Sequence, residues 1–268
     1  MSTIVLAHGL FGFGDLLPGI LSSLPSVHYF NMVADHFRDL GHNVLEPQVD
    51  PIGSIPNRGT QLAEKILRQT NPTDKVHIFA HSMGGLDSRF AISNRDDVAE
   101  RIATLVTIGT PHRGSPVADA VIRQSGPIFD QIPAVLKAKL ENNAGAIQDL
   151  TTASCAQFDD NTPDKPGVRY INVAGDASRA GNELLLFQLA ATIGKMTGEV
   201  NDGMVTRSSA LRANNEHLAD WPVDHAGEIG WSIALLNPFQ RKQAITDHLA
   251  RYDAILAMLT DKAVGKGV

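Results

Sequence analysis

An α/β protein, with a mostly parallel central sheet and helices on both of its faces, is the fold class this chain predicts. Three observations carry the prediction. Short, nearly continuous apolar runs alternate with amphipathic segments, as strands buried on both faces do. One such run, Val76-His77-Ile78-Phe79, leads into Ala80-His81-Ser82-Met83-Gly84-Gly85 and then a helix-compatible segment, Leu86 to Asn94. A stretch from about 115 to 166 breaks this rhythm with Pro116, Pro127, Pro133, Pro163 and Pro166 and offers no convincing strand. It reads as a helical lid or cap inserted over one sheet edge, or as a helical subdomain with no gating role.

In order, the first strand is Thr3 to Ala7, ending in a loop rich in glycine and aromatics, His8-Gly9-Leu10-Phe11-Gly12-Phe13-Gly14. Phe30, Val33, Phe37 and Leu40 recur at helical spacing, which predicts a helix over about 27–40 stopped by Gly41. A strand follows from Asn43 to Val49, then a loop from Asp50 to Asn57, then a helix over about 58–69 carrying Leu62 and Ile66. The third strand, 75–81, feeds the serine turn; Ala103 to Ile108 is a fourth and Val168 to Val173 a fifth. Leu184 to Ile193 lies in a second cap element at about 183–197, an acyl-contacting wall or an ordinary core helix. Asn201 to Val205 is a turn into a short extended segment, and Asp224-His225-Ala226-Gly227 is a loop. The last helix opens at Asn237-Pro238, a cap residue with proline at the first helical position. It carries Ile245, Leu249, Tyr252, Leu256 and Leu259 on one face. No repeat, linker or low-complexity tract divides the 268 residues, which suit one domain with a sizeable core.

Composition removes several function classes. The net charge is 23 − 29 = −6 and no basic stripe stands out, which argues against a nucleic-acid surface. The single cysteine, Cys155, excludes an intrachain disulfide and a cysteine-rich zinc site. No run of about 18 apolar residues could span a membrane. No signal peptide is visible, so the expected location is the cytoplasm; a secreted protein without its leader would look the same.

The serine turn carries the chemistry. A strand, a small-x-Ser-x-Gly turn and a helix together form a nucleophile elbow. Ala80 and Gly84 are the small residues it needs two positions either side of Ser82. A serine hydroxyl is a weak nucleophile and requires a base, itself oriented by a carboxylate. The expected chain order of serine, acid and histidine is met by Ser82, Asp202 and His225. Asp176 is a rival acid, and His217 and His248 are rival bases, His248 reading as a surface residue of the last helix. Backbone N–H groups of Met83 and Leu10 stand where an oxyanion would be held. His8 reads as a brace for its loop. Asp202 and the acids near it show no ligand-spaced metal cluster.

These residues resemble the bacterial true-lipase family of the α/β-hydrolase superfamily. The likeness rests on His8 to Phe13, Arg58-Gly59-Thr60-Gln61-Leu62, Ala80 to Gly85, Thr107 to Ser115 and Asn201 to Val205, in family order over about 200 residues. It implies an α/β-hydrolase fold and hydrolysis of carboxylic esters such as triacylglycerols through an acyl-serine. In that reaction Ser82 is the nucleophile, His225 the base and Asp202 the acid, with Leu10 and Met83 forming the oxyanion hole. It also implies a lid at 115–166 and transient contact with a lipid interface. Secreted members bind calcium through an Asp two residues after the catalytic histidine; here that residue is Gly227, so calcium is disfavoured and no cofactor is expected. The same triad would serve a phospholipase, a thioesterase or a polyhydroxyalkanoate depolymerase, and a non-catalytic binding protein of this fold is the reading from another class.

Overall fold

The computed structural model describes residues 2–10, 28–179 and 186–261. The Phe11 to Gly14 part of the first loop, the start of the 27–40 segment, and 183–185 lie outside these residues.

β1 (Thr3–Ala7) is an inner strand of the sheet. Ile4 and Leu6 pack with Phe37 and Tyr252, whereas Val5 and Ala7 pack with Leu62, Ala63 and Ile66. A strand apolar on both faces must be covered on both faces. The first cover is α1 (Val33–Asp39), which begins later than its periodicity predicts. Met32 sits at φ 61, in the left-handed region, so the backbone cannot enter the helix before Val33, although Phe30 is fully buried. Gly41 ends it at φ 85, as read. β2 (Asn43–Leu45) is shorter than the strand expected to Val49. Pro47 has no N–H for a ladder, and the Val49 N–H donates to His8 Nε2 instead of a strand.

α2 (Ile55–Gln69) starts three residues before the expected 58. Ser54 caps it through the Asn57 N–H, and Pro56 falls in its first turn, a start signal inside what reads as a loop. β3 (Val76–His81) then delivers the chain to α3 (Met83–Asn94), and a short α4 (Asp96–Ala99) leads to β4 (Ile102–Ile108).

The stretch after 115 is helical throughout, as expected: α5 (Pro116–Arg123), α6 (Pro127–Gln131), α7 (Ala134–Asn142), α8 (Ala144–Gln148) and α9 (Thr152–Asn161). β5 (Arg169–Val173) returns to the sheet, and α10 (Phe187–Thr197) lies within the predicted second cap element. α5 to α10 build a core of their own around Val121, Ile147, Cys155 and Leu189, which also takes in Leu10 and Met83 beside the serine turn. α11 (Arg207–Ala210) and β6 (Glu216–His217) follow. α12 (Arg241–Asp261) begins four residues after Asn237. The Asn237 side chain accepts the Phe239 N–H and forms a turn rather than the first helical residues.

The six strands run β2-β1-β3-β4-β5-β6, every adjacent pair parallel. In such a sheet the loops at the carboxyl ends share one edge. The loops after β1, β3 and β5 bring His8, Ser82 and Asp176 there.

Candidate active site

Ser82 sits at φ 54, ψ −130, a strained conformation costing roughly 1–3 kcal/mol and held by its surroundings. Its N–H donates to the Ile108 carbonyl on β4 at 2.9 Å. A Cβ on Gly84 would stand 2.5 Å from the Ala7 carbonyl of β1, so the turn excludes anything larger there. Ala80 on β3 is fully buried. Met83 is the first residue of α3, and its N–H has no intrahelical acceptor.

The structure brings Asp202 and His225 together. His225 Nδ1–H donates to Asp202 Oδ2 at 2.7 Å, and the His225 backbone N–H donates to the Asp202 carbonyl at 2.8 Å. Asp202 is itself fixed: its Oδ1 accepts the N–H groups of Met204 and Val205, both at 2.7 Å. Ser82, His225, His81 and Leu10 line one apolar cavity of about 300 Å³, walled by Val117 of α5 and Leu136 and Leu140 of α7.

The rivals go elsewhere. The Asp176 carboxylate accepts from Ser178, and Asp224 accepts the N–H groups of Gly227 and Leu186. His217 is exposed and bonds the Arg212 carbonyl. His248 is 4% exposed, so its reading as a surface residue is corrected; its Nε2–H is committed to the Asn31 carbonyl. His8 is a brace: its Nδ1 bonds the Gly9 carbonyl and its Nε2 accepts from Val49.

Two buried polar assemblies hold the site; Arg58 and His81 stand in recognisable motifs, but nothing in the sequence links them to their partners. Arg58 and Asp87 are fully buried and paired at 2.8 Å. The same guanidinium donates to the carbonyls of His8 (2.8 Å), Gly9 (3.1 Å) and Asp50 (2.7 Å). Burial pushes the Asp87 carboxyl up to about 7 although Arg58 opposes the shift.

The second assembly lies behind His225. His81 Nε2–H faces two acceptors, the His225 carbonyl at 3.1 Å and Glu228 Oε2 at 3.0 Å. Its Nδ1 therefore accepts from the Tyr29 hydroxyl at 2.7 Å. The Gly9 backbone bonds that phenol in turn, so the chain of bonds links the β1 loop to the histidine loop. Glu228 Oε2 is also 3.4 Å from His225 Nδ1. Glu228 fits only because residues 109 and 175 are glycines, where a Cβ would collide with its carboxylate. His81, His225 and Glu228 could in geometry present three metal-ligating atoms, a grouping missed in the sequence. Both ring N–H groups point at carboxylates, so the two rings are satisfied by hydrogen bonds, while Glu228 Oε1 is buried without a partner.

Burial pushes the Glu228 carboxyl up to about 8, with the Asp202 charge adding to the shift. Burial lowers the His225 imidazole, but the Asp202 carboxylate and then Glu228 outweigh it and raise it, which favours the imidazolium that forms when the ring accepts a proton. His81 is driven well down by burial and is neutral. Protons on this cluster come off as a set. Because the Glu228 pKa is raised above its unfolded value, the native state holds the extra proton between about 4.5 and 8. Stability contributed by that group is full at the acid end of this window and falls as pH rises through it. Glu228→Gln mimics the neutral acid, so its activity at pH 7 is expected within about threefold of the parent. Above pH 8 it should be more stable than the parent by a free energy on the order of 1 kcal/mol or more, read as a higher melting temperature. A variant less stable than the parent at pH 9 would show that the ionised carboxylate is well compensated.

Residues 58–164 match the family model described as "PGAP1-like alpha/beta domain". Triacylglycerol lipase 2 of Saccharomyces cerevisiae is 30% identical over 227 residues, covering 82% of this chain and 68% of its own. A triacylglycerol lipase of Vibrio cholerae is 29% identical over 274 residues, covering 88% and 82%. Among solved structures, Staphylococcus hyicus lipase superposes with a TM-score of 0.70 at 17% identity over 99% of this chain and 97% of that one. A mature Bacillus licheniformis lipase gives 0.67 at 24% identity, covering 85% and 86%. At these identities the two structures establish the fold.

Proposed function

This chain belongs to the triacylglycerol-lipase-like family of α/β-hydrolases and is a carboxylic-ester hydrolase, and from that premise we propose that Ser82, His225 and Asp202 carry its reaction on lipid acyl esters. The observation that carries the reading is the Asp202–His225 bond at 2.7 Å opening onto the apolar cavity that holds Ser82.

His225 takes the Ser82 proton through Nε2 as the hydroxyl attacks the ester carbonyl. The oxyanion accepts the N–H groups of Leu10 and Met83, donors whose value lies in being fixed in place beforehand. His225 then protonates the leaving alcohol, and water repeats the cycle on the acyl-serine. Asp202 holds the imidazole in the tautomer with Nδ1–H and stabilises the imidazolium. Each step uses a side chain or a backbone amide, so the reading calls for no cofactor or calcium. A fluorophosphonate probe tests it: one adduct per chain, located on Ser82, is expected, and an adduct elsewhere or none would overturn it.

The acyl chain occupies the apolar cavity against α5 and α7. Leu136 is only partly buried and has room to grow. Leu136→Trp should lower kcat/KM for a decanoyl ester roughly tenfold more than for a butyryl ester, because pocket contacts are worth about that per one or two methylenes. An equal loss on both esters would place the acyl chain elsewhere. We further propose that α5 to α9 act as the lid and that Val135, 58% exposed beside this cavity, meets the lipid surface. A rate jump as a substrate passes its solubility limit supports this, and a flat response removes it.

A further inference from the structure

α12 meets the loop that follows His225 across a crevice of about 550 Å³ to which the ester chemistry assigns no task. Its mouth is apolar. Phe239 there is 94% exposed and Met32 44% exposed. Its floor is polar and incompletely matched. Arg251 lies over the Trp221 ring at 5.6 Å, and its Nη2 reaches only the Gly227 carbonyl, at 3.5 Å. Its buried Nε–H has no acceptor; the charges of Asp247 and Glu228 act on the guanidinium without either carboxylate hydrogen-bonding that Nε–H. Asp247, on the crevice wall, is bonded to Gln243 instead. One helical turn earlier, His248 donates from Nε2 to Asn31, which leaves Nδ1 a buried acceptor without a partner. Arg179, exposed at the rim, adds a second cation.

Arg251 is half-buried, but its Nε–H is buried without an acceptor and His248 Nδ1 without a donor, and each such atom is costly. Both lie on one helix face, three residues apart. An oxyanion head would accept from Arg251, and a bound water or acid proton would serve His248 Nδ1. An alkyl tail would cover Met32 and Phe239. We propose that this crevice binds the carboxylate of a fatty acid, with the head on Arg251 and the tail along the apolar mouth. The choice of a fatty acid rests on the ester-hydrolase reading, since that reaction releases one; the anionic head and apolar tail follow from the crevice alone. Arg251 also touches the carbonyl of Gly227, two residues after His225, so the occupant abuts the loop that carries the base.

The test begins by labelling Ser82 to completion with a fluorophosphonate, which closes the catalytic cavity to ligand. Failure at that step would count against the Ser82 assignment and not against the crevice. The labelled protein is then titrated with decanoate below its aggregation limit, with tryptophan fluorescence (Trp221 underlies Arg251) and heat as readouts. One saturable site is expected. Arg251→Gln should weaken it tenfold or more, the usual scale for a charged hydrogen bond. Ala244→Trp, a substitution on the crevice wall that fills it from α12, should do the same without touching the floor. Circular dichroism confirms that both variants fold. No binding, or binding equal in parent and both variants, would overturn the proposal. So would decanol binding as tightly as decanoate, which would reduce the crevice to an apolar groove. Decyl phosphate binding well above decanoate with the same dependence on Arg251 would replace the carboxylate with a phosphate head and overturn the fatty-acid assignment.

Discussion

Ser82→Ala is expected to lower kcat for a p-nitrophenyl ester by a factor on the order of 10⁴ to 10⁶, the range set by removal of a triad nucleophile. KM should change little, because the acyl cavity and the two oxyanion amides remain. Stability should also change little. Alanine must adopt the same φ of 54, so the strain of the turn persists, and the lost hydroxyl sits at a partly exposed position. A variant that keeps a tenth of the parent rate would remove Ser82 from the reaction. A variant that is inactive but melts many degrees lower would show that the loss came from the fold.

Arg58→Leu carries the second largest expected effect, on stability and on rate together. It strips Asp87 of its cation, removes the guanidinium donor from the carbonyls of His8 and Asp50, and leaves the Gly9 carbonyl held by His8 Nδ1 alone. Breaking a buried ion pair on one side costs about 3–5 kcal/mol. The rate argument is geometric. The Gly9 carbonyl and the Leu10 N–H belong to one planar peptide and point in opposite directions. Arg58 at 3.1 Å and His8 Nδ1 at 2.8 Å together hold the carbonyl and so aim the N–H, and losing the guanidinium loosens a proposed oxyanion donor that His8 alone then restrains. Arg58→Lys separates the two contributions. It keeps the charge against Asp87 but cannot fork to several acceptors. Its melting temperature should fall less than that of the leucine variant, while kcat falls by roughly tenfold to a hundredfold in a range typical of one oxyanion donor disturbed. Equal kcat in Arg58→Lys and parent would show that the loop holds itself.

Much of this was readable before any coordinates. The parallel sheet and the elbow are local patterns: apolar runs, small residues at 80 and 84, a serine between strand and helix. The interval between Asp202 and His225 reads as room for one strand and one short helix, and β6 and α11 occupy it. What stayed hidden was decided by atoms far apart in sequence. Tyr29, His81 and Glu228 share one hydrogen-bonded chain, yet no spacing rule links 29, 81 and 228. His248 looked like a helix-surface residue because the periodicity of α12 describes one packed face. It cannot report a loop that covers another, as Asn31 does here. Single dihedrals and single caps moved the ends of helices: Met32 delays α1 and Ser54 advances α2.

The chain of bonds from Gly9 through Tyr29 and His81 to Glu228 spans most of the polypeptide, with 147 residues separating His81 from Glu228. Contacts of such separation are entropically late in folding, because long loops must close before they are rewarded. A chain still emerging from the ribosome can form β1 to β4, the elbow and its serine before residues 202 to 228 exist. During that interval the proposed nucleophile has neither its proposed base nor the acid that would orient it. Hydrolytic competence therefore arrives with the final elements of the fold and not with the serine, so ester turnover reports completion of the sheet rather than formation of any one segment.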